Sequence, residues 1–135
     1  MSSDSPELPL TVTHRRYVAY SEAHYAGGLV DGAYSLRLFG EVATEISSVF
    51  DGDEGLLAAY QDVQFKAPIH CGDVIEITGQ LITAGRRSRQ LKFWCTVVAR
   101  ADASGQISGS HALDSPIIAT EATGTVVVPV TENQP

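Results

Sequence analysis

Charge and cysteine are both scarce in this sequence. Only 19% of the 135 residues are charged, and the formal net charge is −7. A general nucleic-acid-binding protein needs a basic surface, so this charge balance argues against that class and no nucleic-acid partner is expected. The two cysteines, Cys71 and Cys95, form no CxxC motif. We expect both to be reduced thiols in a cytoplasmic protein.

Long apolar runs and metal-binding motifs are missing as well. No run of 18 apolar residues is present, so no segment is expected to cross a membrane. Residues 1–10, MSSDSPELPL, lack the basic and apolar regions of a signal peptide and are expected to form a flexible arm. Neither HExxH nor a Cys/His cluster occurs, so we expect no metal site. The length predicts a single domain, which we place at residues 11–131.

One long helix is the main feature that the apolar residues predict. From Asp31 onwards, apolar side chains recur at helical spacing over roughly 20 residues. They occupy two adjoining faces, with Val30, Tyr34, Leu38, Val42, Ile46 and Val49 on one and Leu29, Ala33, Leu36, Ala43 and Phe50 on the other. A surface helix has a single apolar stripe, so these two faces predict a helix that is mostly enclosed. The segment DGDEG at residues 51–55 is expected to end the helix.

Most of the other apolar segments predict β-strands. Alternating or β-branched residues place these strands at 11–20, 56–65, 74–83, 90–100 and 117–130, with a loop at 101–115. Short links join the second to the fifth strand, so we expect them to be antiparallel neighbours or nearly so. A curved antiparallel sheet of about five strands around one long helix is the hot-dog fold, an α+β architecture. Dimerisation would cover its open sheet edge and place each active site at a subunit interface.

Three blocks of sequence carry a resemblance to a known family. They are HYAGGLVDGA at residues 24–33, DGDEG at 51–55 and PIIATEATGTVVVP at 116–129. With these blocks, residues 18–129 resemble the 3-aminobutyryl-CoA ammonia-lyases. The resemblance implies a hot-dog enzyme, a carbon–nitrogen lyase that reversibly removes ammonia from a β-aminoacyl-CoA to leave an enoyl-CoA. It implies no cofactor beyond the coenzyme A of the substrate, and a homodimer or a dimer-based assembly such as a hexamer.

Alternative functions remain open at this stage. The chain departs from the family at Gly28, where Gly-Asn is expected, and at Glu22, where Asp is expected. Similar hot-dog proteins hydrolyse acyl-CoA thioesters, or add an amino acid to an enoyl thioester on coenzyme A or a carrier protein. A non-catalytic thioester-binding module is a further alternative. Such a module would tolerate the loss of His24, Asp31 and Glu41, and the presence of all three favours an enzyme.

The glycine-rich entrance to the helix is the predicted substrate-binding segment. Negative charge develops on the thioester oxygen when the α-proton leaves, and backbone amides at a helix N-terminus stabilise such charge. Gly27, Gly28 and Gly32 would bring the backbone close to the thioester, although glycines before a helix are also ordinary turn residues. Tyr25 would donate a hydrogen bond to the substrate or serve in packing.

Three side chains are candidates for proton transfer. Asp31 would act as the base or hold the cationic amine, although Asp at this position also caps a helix. Histidine is a residue type suited to proton transfer near neutral pH, so His24 would move a proton, or be an ordinary loop histidine. Glu41 would act as a base across a dimer interface, or form a surface ion pair with Arg37 four residues earlier.

One basic cluster stands out in this acidic chain. Arg86, Arg87 and Arg89 lie in a predicted hairpin turn. Arginine binds phosphate in a bidentate manner, so the cluster predicts contacts to the phosphates of coenzyme A. The alternative is a solvated turn.

Overall fold

A computed structural model describes residues 7–129 as one long helix and five strands. The elements in chain order are β1 (Leu10–Tyr17), a 3₁₀ turn (Tyr20–Glu22), α1 (Gly32–Asp51), β2 (Leu56–Phe65), β3 (Val74–Ala84), β4 (Ser88–Ala101) and β5 (Ser110–Val127). The strands form one antiparallel sheet in the order β1-β3-β4-β5-β2. The predicted α+β fold class is confirmed. In the part of the chain described here, no helix is both long and apolar enough to cross a membrane.

Local signals at both ends define α1. The Asp31 side chain accepts a hydrogen bond from the Tyr34 amide, which caps the N-terminus. Gly52 ends the helix with a left-handed φ of 66°, a conformation that glycine adopts without a Cβ clash. The predicted start, length and end of the helix agree with these bounds.

The prediction that α1 is mostly enclosed is wrong for the single chain. Its buried residues lie on one side, while the opposite side, which includes Ala33, Glu41, Glu45 and Val49, is exposed. The reason is that the sheet packs against one side of the helix only.

The core lies between α1 and the central strands β3 and β4. Phe39 of the helix stacks on Phe93 of β4, with ring centroids 5.1 Å apart. Gly79 of β3 lets the helix approach, since a Cβ there would lie 2.7 Å from a methyl group of Val42. The other fully buried large side chains are Leu38, Ile46, Ile75, Ile77, Leu81, Leu91, Val18, Val42, Val97 and Val126.

The position of β2 corrects the predicted strand order. β2 does not pair with β3, the next strand in sequence, but with β5 at the outer edge of the sheet. This is possible because β5 is 18 residues long and pairs with β4 on one side and β2 on the other. The link at 66–73 therefore runs from the sheet edge to an inner strand.

Several strand boundaries also differ from the prediction. The bounds of β3 and β4 differ by one or two residues, and β5 ends at Val127 rather than at residue 130. β1 ends at Tyr17 rather than Tyr20, and β5 begins at Ser110 rather than Ile117. The sequence hides this early start because the predicted loop at 101–115 is rich in Ser, Gly and Asp, and because Pro116, which lacks an amide hydrogen, follows it directly. A break in the β4–β5 register accommodates the proline, with Val97 opposite Ile117 and Ala99 opposite Ala112. Residues 1–6 of the predicted arm and residue 130 of the last predicted strand lie outside the described residues.

Candidate active site

A cleft at the N-terminus of α1 contains three of the predicted site residues, Tyr25, Asp31 and Gly32. Its volume is about 400 Å³. The loop before the helix, the first helical turn, the end of β2 and the link after it form its walls. Most of the lining is apolar, and the polar side chains are those of Tyr25, Asp31, Ser35, Lys66 and Thr120.

Backbone hydrogen bonds build the loop that leads into the helix. The amides of His24 and Tyr25 donate to the Leu29 carbonyl at 2.9 and 3.0 Å, which closes a tight turn. Gly27 and Gly28 form this turn with φ of 89° and 76°, values that favour glycine. Neither glycine lines the cleft. Their observed role is to shape the loop, with Gly28 also accepting a hydrogen bond from the Cys71 amide at 2.8 Å.

Asp31 lies between two partners at the helix start. One carboxylate oxygen, Oδ1, accepts from the Tyr34 amide at 3.1 Å. The other, Oδ2, lies 3.8 Å from His24 Nδ1. Asp31 is only partly buried and lines the cleft, whereas His24 is exposed beside it. The carboxylate therefore caps the helix and faces the cleft at once, so the two predicted roles are compatible.

The first amides of the helix remain free for a ligand. Among residues 7–129, no backbone or side-chain acceptor is found for the amides of Asp31, Gly32 and Ala33. These amides are at the positive end of the helix dipole. Asp31 and Gly32 both line the cleft, so a carbonyl oxygen bound there has donors within reach.

Phe65 forms the wall opposite the helix start. A Cβ at Gly32 would lie 2.5 Å from Cε1 of the Phe65 ring, so only glycine fits while the ring stays in place. Phe65 is the last residue of β2 and remains 58% exposed. The sequence prediction missed Phe65, because its contact with the helix depends on the fold of residues far apart in the chain.

Two buried hydroxyl groups form the inner polar lining of the cleft. Ser35 Oγ and Thr120 Oγ1 are 2.9 Å apart, and both residues are at most 2% exposed. Ser35 follows Asp31 by one helical turn, a spacing that could have indicated a shared face. Thr120 comes from β5, and nothing in its local sequence indicates the site.

Two further polar groups border this region. Lys66 Nζ lines the cleft and lies 2.9 Å from Glu121 Oε1, so its charge is paired. The Cys95 thiol is fully buried, and burial raises its pKa to about 12. Cys95 is therefore a neutral thiol near pH 7 and is not an activated nucleophile.

Glu41 lies outside the cleft. Its carboxylate is exposed and lies 2.6 Å from Arg16 Nη2 on β1. The predicted surface ion pair is thus present with a different partner, since Arg37 pairs with Glu22 at 3.6 Å instead. Within one chain, Glu41 is not brought to the residues at the helix start.

The position of Arg89 argues against the predicted contact to coenzyme A. Arg89 is 9% exposed and binds both carboxylate oxygens of Asp51, with Nη2–Oδ1 at 2.7 Å. Its Nη1 donates to the carbonyls of Gly85 and Ser88 at 2.8 and 3.0 Å. These contacts tie the end of α1 to the β3–β4 hairpin, and the guanidinium is not available for phosphate.

Arg86 and Arg87 are exposed in the same hairpin. The hairpin contacts Asp51 at the last residue of α1, whereas the cleft is at the first. A helix of 20 residues spans about 30 Å. Within one chain these two arginines are therefore remote from the cleft.

Comparisons with known proteins point to one group of enzymes. Residues 27–93 match the model of the thioesterase superfamily. The chain is 47% identical over 110 residues to the 3-aminobutyryl-CoA ammonia lyase of Acetoanaerobium sticklandii, covering 80% of this chain and 86% of that protein.

Solved structures show the same similarity. The β-alanyl-CoA:ammonia lyase from Clostridium propionicum superposes with a TM-score of 0.85 at 32% identity, covering 90% of this chain and 87% of that one. A hexameric hotdog-fold thioesterase of Campylobacter jejuni superposes with a TM-score of 0.71 at 19% identity, covering 87% and 81%. The second comparison supports the fold alone.

Proposed function

The chain belongs to the family of 3-aminobutyryl-CoA ammonia lyases, and from this premise we propose that it catalyses the reversible elimination of ammonia from a β-aminoacyl-CoA. The observation that carries the proposal is the meeting of a carboxylate, that of Asp31, with free helix amides in one largely apolar cleft. In one direction the β-aminoacyl-CoA gives an enoyl-CoA and ammonia, and in the other direction these two combine to form the β-aminoacyl-CoA. The substrate supplies coenzyme A, and the proposed chemistry needs no other cofactor.

Polarisation of the thioester carbonyl is the first requirement. We place the carbonyl oxygen at the amides of Gly32 and its neighbours, where the helix dipole stabilises negative charge. Donors of this kind, held in place before the reaction, contribute on the order of 100-fold or more each to the rate. Gly32 allows the close approach because it has no side chain between the backbone and the Phe65 ring.

Asp31 is our candidate for the base or for the group that holds the amine. In the elimination, a base takes the α-proton, and the electrons of the broken Cα–H bond form the new C=C bond. The C–N bond breaks with its electron pair on nitrogen, so a protonated amine leaves as neutral ammonia. Asp31 Oδ2 is not occupied by the helix cap, and His24 Nδ1, 3.8 Å away, would exchange a proton with it through one bridging water.

Assembly through β2 is part of the proposal. This edge strand exposes Leu56, Leu57 and Phe65, and an exposed apolar edge is a surface for pairing with another chain. Phe65 also lines the cleft, so a second copy on β2 would lie beside it. We propose a homo-oligomer built from such dimers, and the Campylobacter jejuni thioesterase is an example of this fold in a hexameric protein. A monomeric mass by sedimentation would contradict it.

A cytoplasmic location is also part of the proposal. Cys71 and Cys95 are both free thiols. Free thiols are typical of a reducing compartment, which supports the cytoplasm.

The test is ammonia addition to crotonyl-CoA by the purified protein. Loss of the enoyl absorbance and the mass of 3-aminobutyryl-CoA are the expected results. A parallel reaction with glycine in place of ammonia is the comparison, and a glycine adduct in preference to the ammonia product would move the chain to amino-acid addition. Release of the free acid alone would indicate a thioesterase, and no reaction with any of several enoyl-CoA chain lengths would overturn the proposal.

A further inference from the structure

The hydroxyl pair formed by Ser35 and Thr120 is unusual in its position. The two oxygens are 2.9 Å apart, and the residues are 1% and 2% exposed, yet both line the cleft. One hydroxyl hydrogen is used between them. A hydroxyl oxygen has two lone pairs, so the pair keeps acceptor capacity and one further hydrogen for a bound molecule.

The rest of the cleft lacks other buried polar side chains. The lining consists otherwise of apolar residues, of Asp31, and of Tyr25 and Lys66, both of which are exposed. Lys66 is a cation paired with Glu121, so it would repel rather than bind a second cation. The carboxylate and the hydroxyl pair are therefore the acceptors among the side chains of the cleft that are not exposed, and Ser35 is one helical turn beyond Asp31.

We propose that Ser35 and Thr120 form the subsite for the nitrogen of the substrate, where the β-ammonium group and free ammonia bind. This inference rests on the proposed function and deepens it. An ammonium group presents N–H donors only. The negative charge of Asp31 balances its charge, and the oxygens of Ser35 and Thr120 accept its remaining hydrogens.

The subsite also orients the nitrogen during the reaction. In the addition direction, the ammonia lone pair forms the C–N bond at Cβ, and the π electrons of the C=C bond move through Cα toward the thioester oxygen. The group that takes the α-proton in the elimination returns it to Cα, and the nitrogen carries a positive charge in the product. Ser35 and Thr120 neither gain nor lose a proton overall, so they are positioning residues.

The test separates the Michaelis constant for ammonia from that for crotonyl-CoA. Thr120→Val keeps the shape of the side chain and removes the hydroxyl, and Ser35→Ala does the same on a helix that tolerates alanine. For each variant we expect the KM for ammonia to rise by about three- to tenfold, because a hydrogen bond to the bound nitrogen is lost. The KM for crotonyl-CoA should stay within about twofold of that of the wild type, since crotonyl-CoA has no nitrogen on Cβ to bind there.

Matched variants control for packing. Thr120→Ser retains a hydroxyl and should restore the KM for ammonia. Thr78→Val breaks the similar Thr13–Thr78 hydroxyl pair, 3.0 Å apart and outside the cleft lining, and should leave both constants unchanged. Ser47→Ala removes another buried serine of α1, also outside the cleft, and serves as the control for Ser35→Ala.

Each outcome decides the inference. An unchanged KM for ammonia, or an equal rise in both constants, would overturn it. If Thr120→Val does not fold, Ser35→Ala decides by the same criterion. A wild-type protein that adds no ammonia to any enoyl-CoA would overturn the proposed function itself. An active wild type whose variants keep the same KM for ammonia would overturn only the subsite.

Discussion

Gly32 and the ring of Phe65 are in direct contact at the start of α1. A Cβ at position 32 would lie 2.5 Å from Cε1 and 2.7 Å from Cζ of the ring. Gly32 is the first residue of the helix and Phe65 the last of β2, so this contact fixes the helix start against the end of an edge strand. The free amides and the aromatic wall of the cleft therefore keep a defined separation.

The variant Gly32→Ala is expected to impair catalysis while the protein stays folded. The added methyl group must displace the Phe65 ring or shift the helix start. The first change alters the wall of the cleft, and the second moves the amides from the carbonyl. We expect the kcat/KM for ammonia addition to crotonyl-CoA to fall by about tenfold or more. Circular dichroism of the variant should match that of the wild type.

Gly40→Ala is the matched control in the same helix. A Cβ at Gly40 would find its nearest neighbour, the Tyr60 hydroxyl, at 4.0 Å. This variant should retain activity and gain about 0.5–1 kcal/mol of stability from the better helix propensity of alanine. Full activity in Gly32→Ala would show that the close contact does not matter for the reaction.

The carboxylate of Asp31 is the subject of a second prediction. Asp31→Asn keeps an oxygen that can cap the Tyr34 amide but removes the negative charge. We expect at least a tenfold loss of kcat/KM with little change in the midpoint of thermal unfolding. Asp53→Asn is the control, because Asp53 caps the Gly55 amide at 2.7 Å beyond the other end of the helix. Unchanged turnover in Asp31→Asn would exclude Asp31 as base and as amine counter-charge.

Local signals explain why much of the fold could be predicted. The helix bounds follow from the Asp31 cap and the left-handed Gly52, and β2 follows from a segment that begins apolar and ends with alternating side chains. The edge position of β2 could not be predicted in this way, because its partner is β5, almost at the other end of the chain. Exposure of one helix side was missed because a pattern of apolar residues does not show how much sheet is present to cover them.

The residues of the cleft also divide into those that local sequence predicts and those that only the fold brings together. Asp31 and Gly32 lie in the sequence block at the helix start, so the sequence pointed to them directly. Ser35, Phe65 and Thr120 come from α1, β2 and β5, and only the folded sheet brings them together. Sequence alone also treats Arg89 as part of a basic cluster, whereas the fold commits it to Asp51.

We expect Arg89 to stabilise the folded protein. Arg89→Met leaves the carboxylate of Asp51, whose side chain is 10% exposed, without its partner. Breaking a buried ion pair on one side costs about 3–5 kcal/mol. The free energy of unfolding in urea should fall by about that amount, while Arg86→Met in the same hairpin should leave it unchanged within about 0.5 kcal/mol. Equal stabilities would show that the ion pair is not structurally important.

Alkaline pH should destabilise the protein through Tyr60. Its hydroxyl donates to the Leu36 carbonyl, and burial raises the pKa of Tyr60 to about 12. Below pH 10 the phenol is protonated in both states, so its contribution to stability is complete. Between about pH 10 and 12 the unfolded chain loses the proton and the folded chain keeps it, so the free energy of unfolding falls by roughly 2–3 kcal/mol. The raised pKa of Cys95 adds a similar decline that begins near pH 9.

The variant Tyr60→Phe separates this contribution from the others. It loses the hydrogen bond to Leu36, so we expect about 1 kcal/mol less stability at pH 8. It also has no phenol to ionise, so its stability should fall less steeply than that of the wild type between about pH 10 and 12. Urea unfolding at several pH values gives both quantities. Parallel curves for the two proteins would mean that Tyr60 ionises equally in the folded and unfolded states, and that its burial has no effect on the proton.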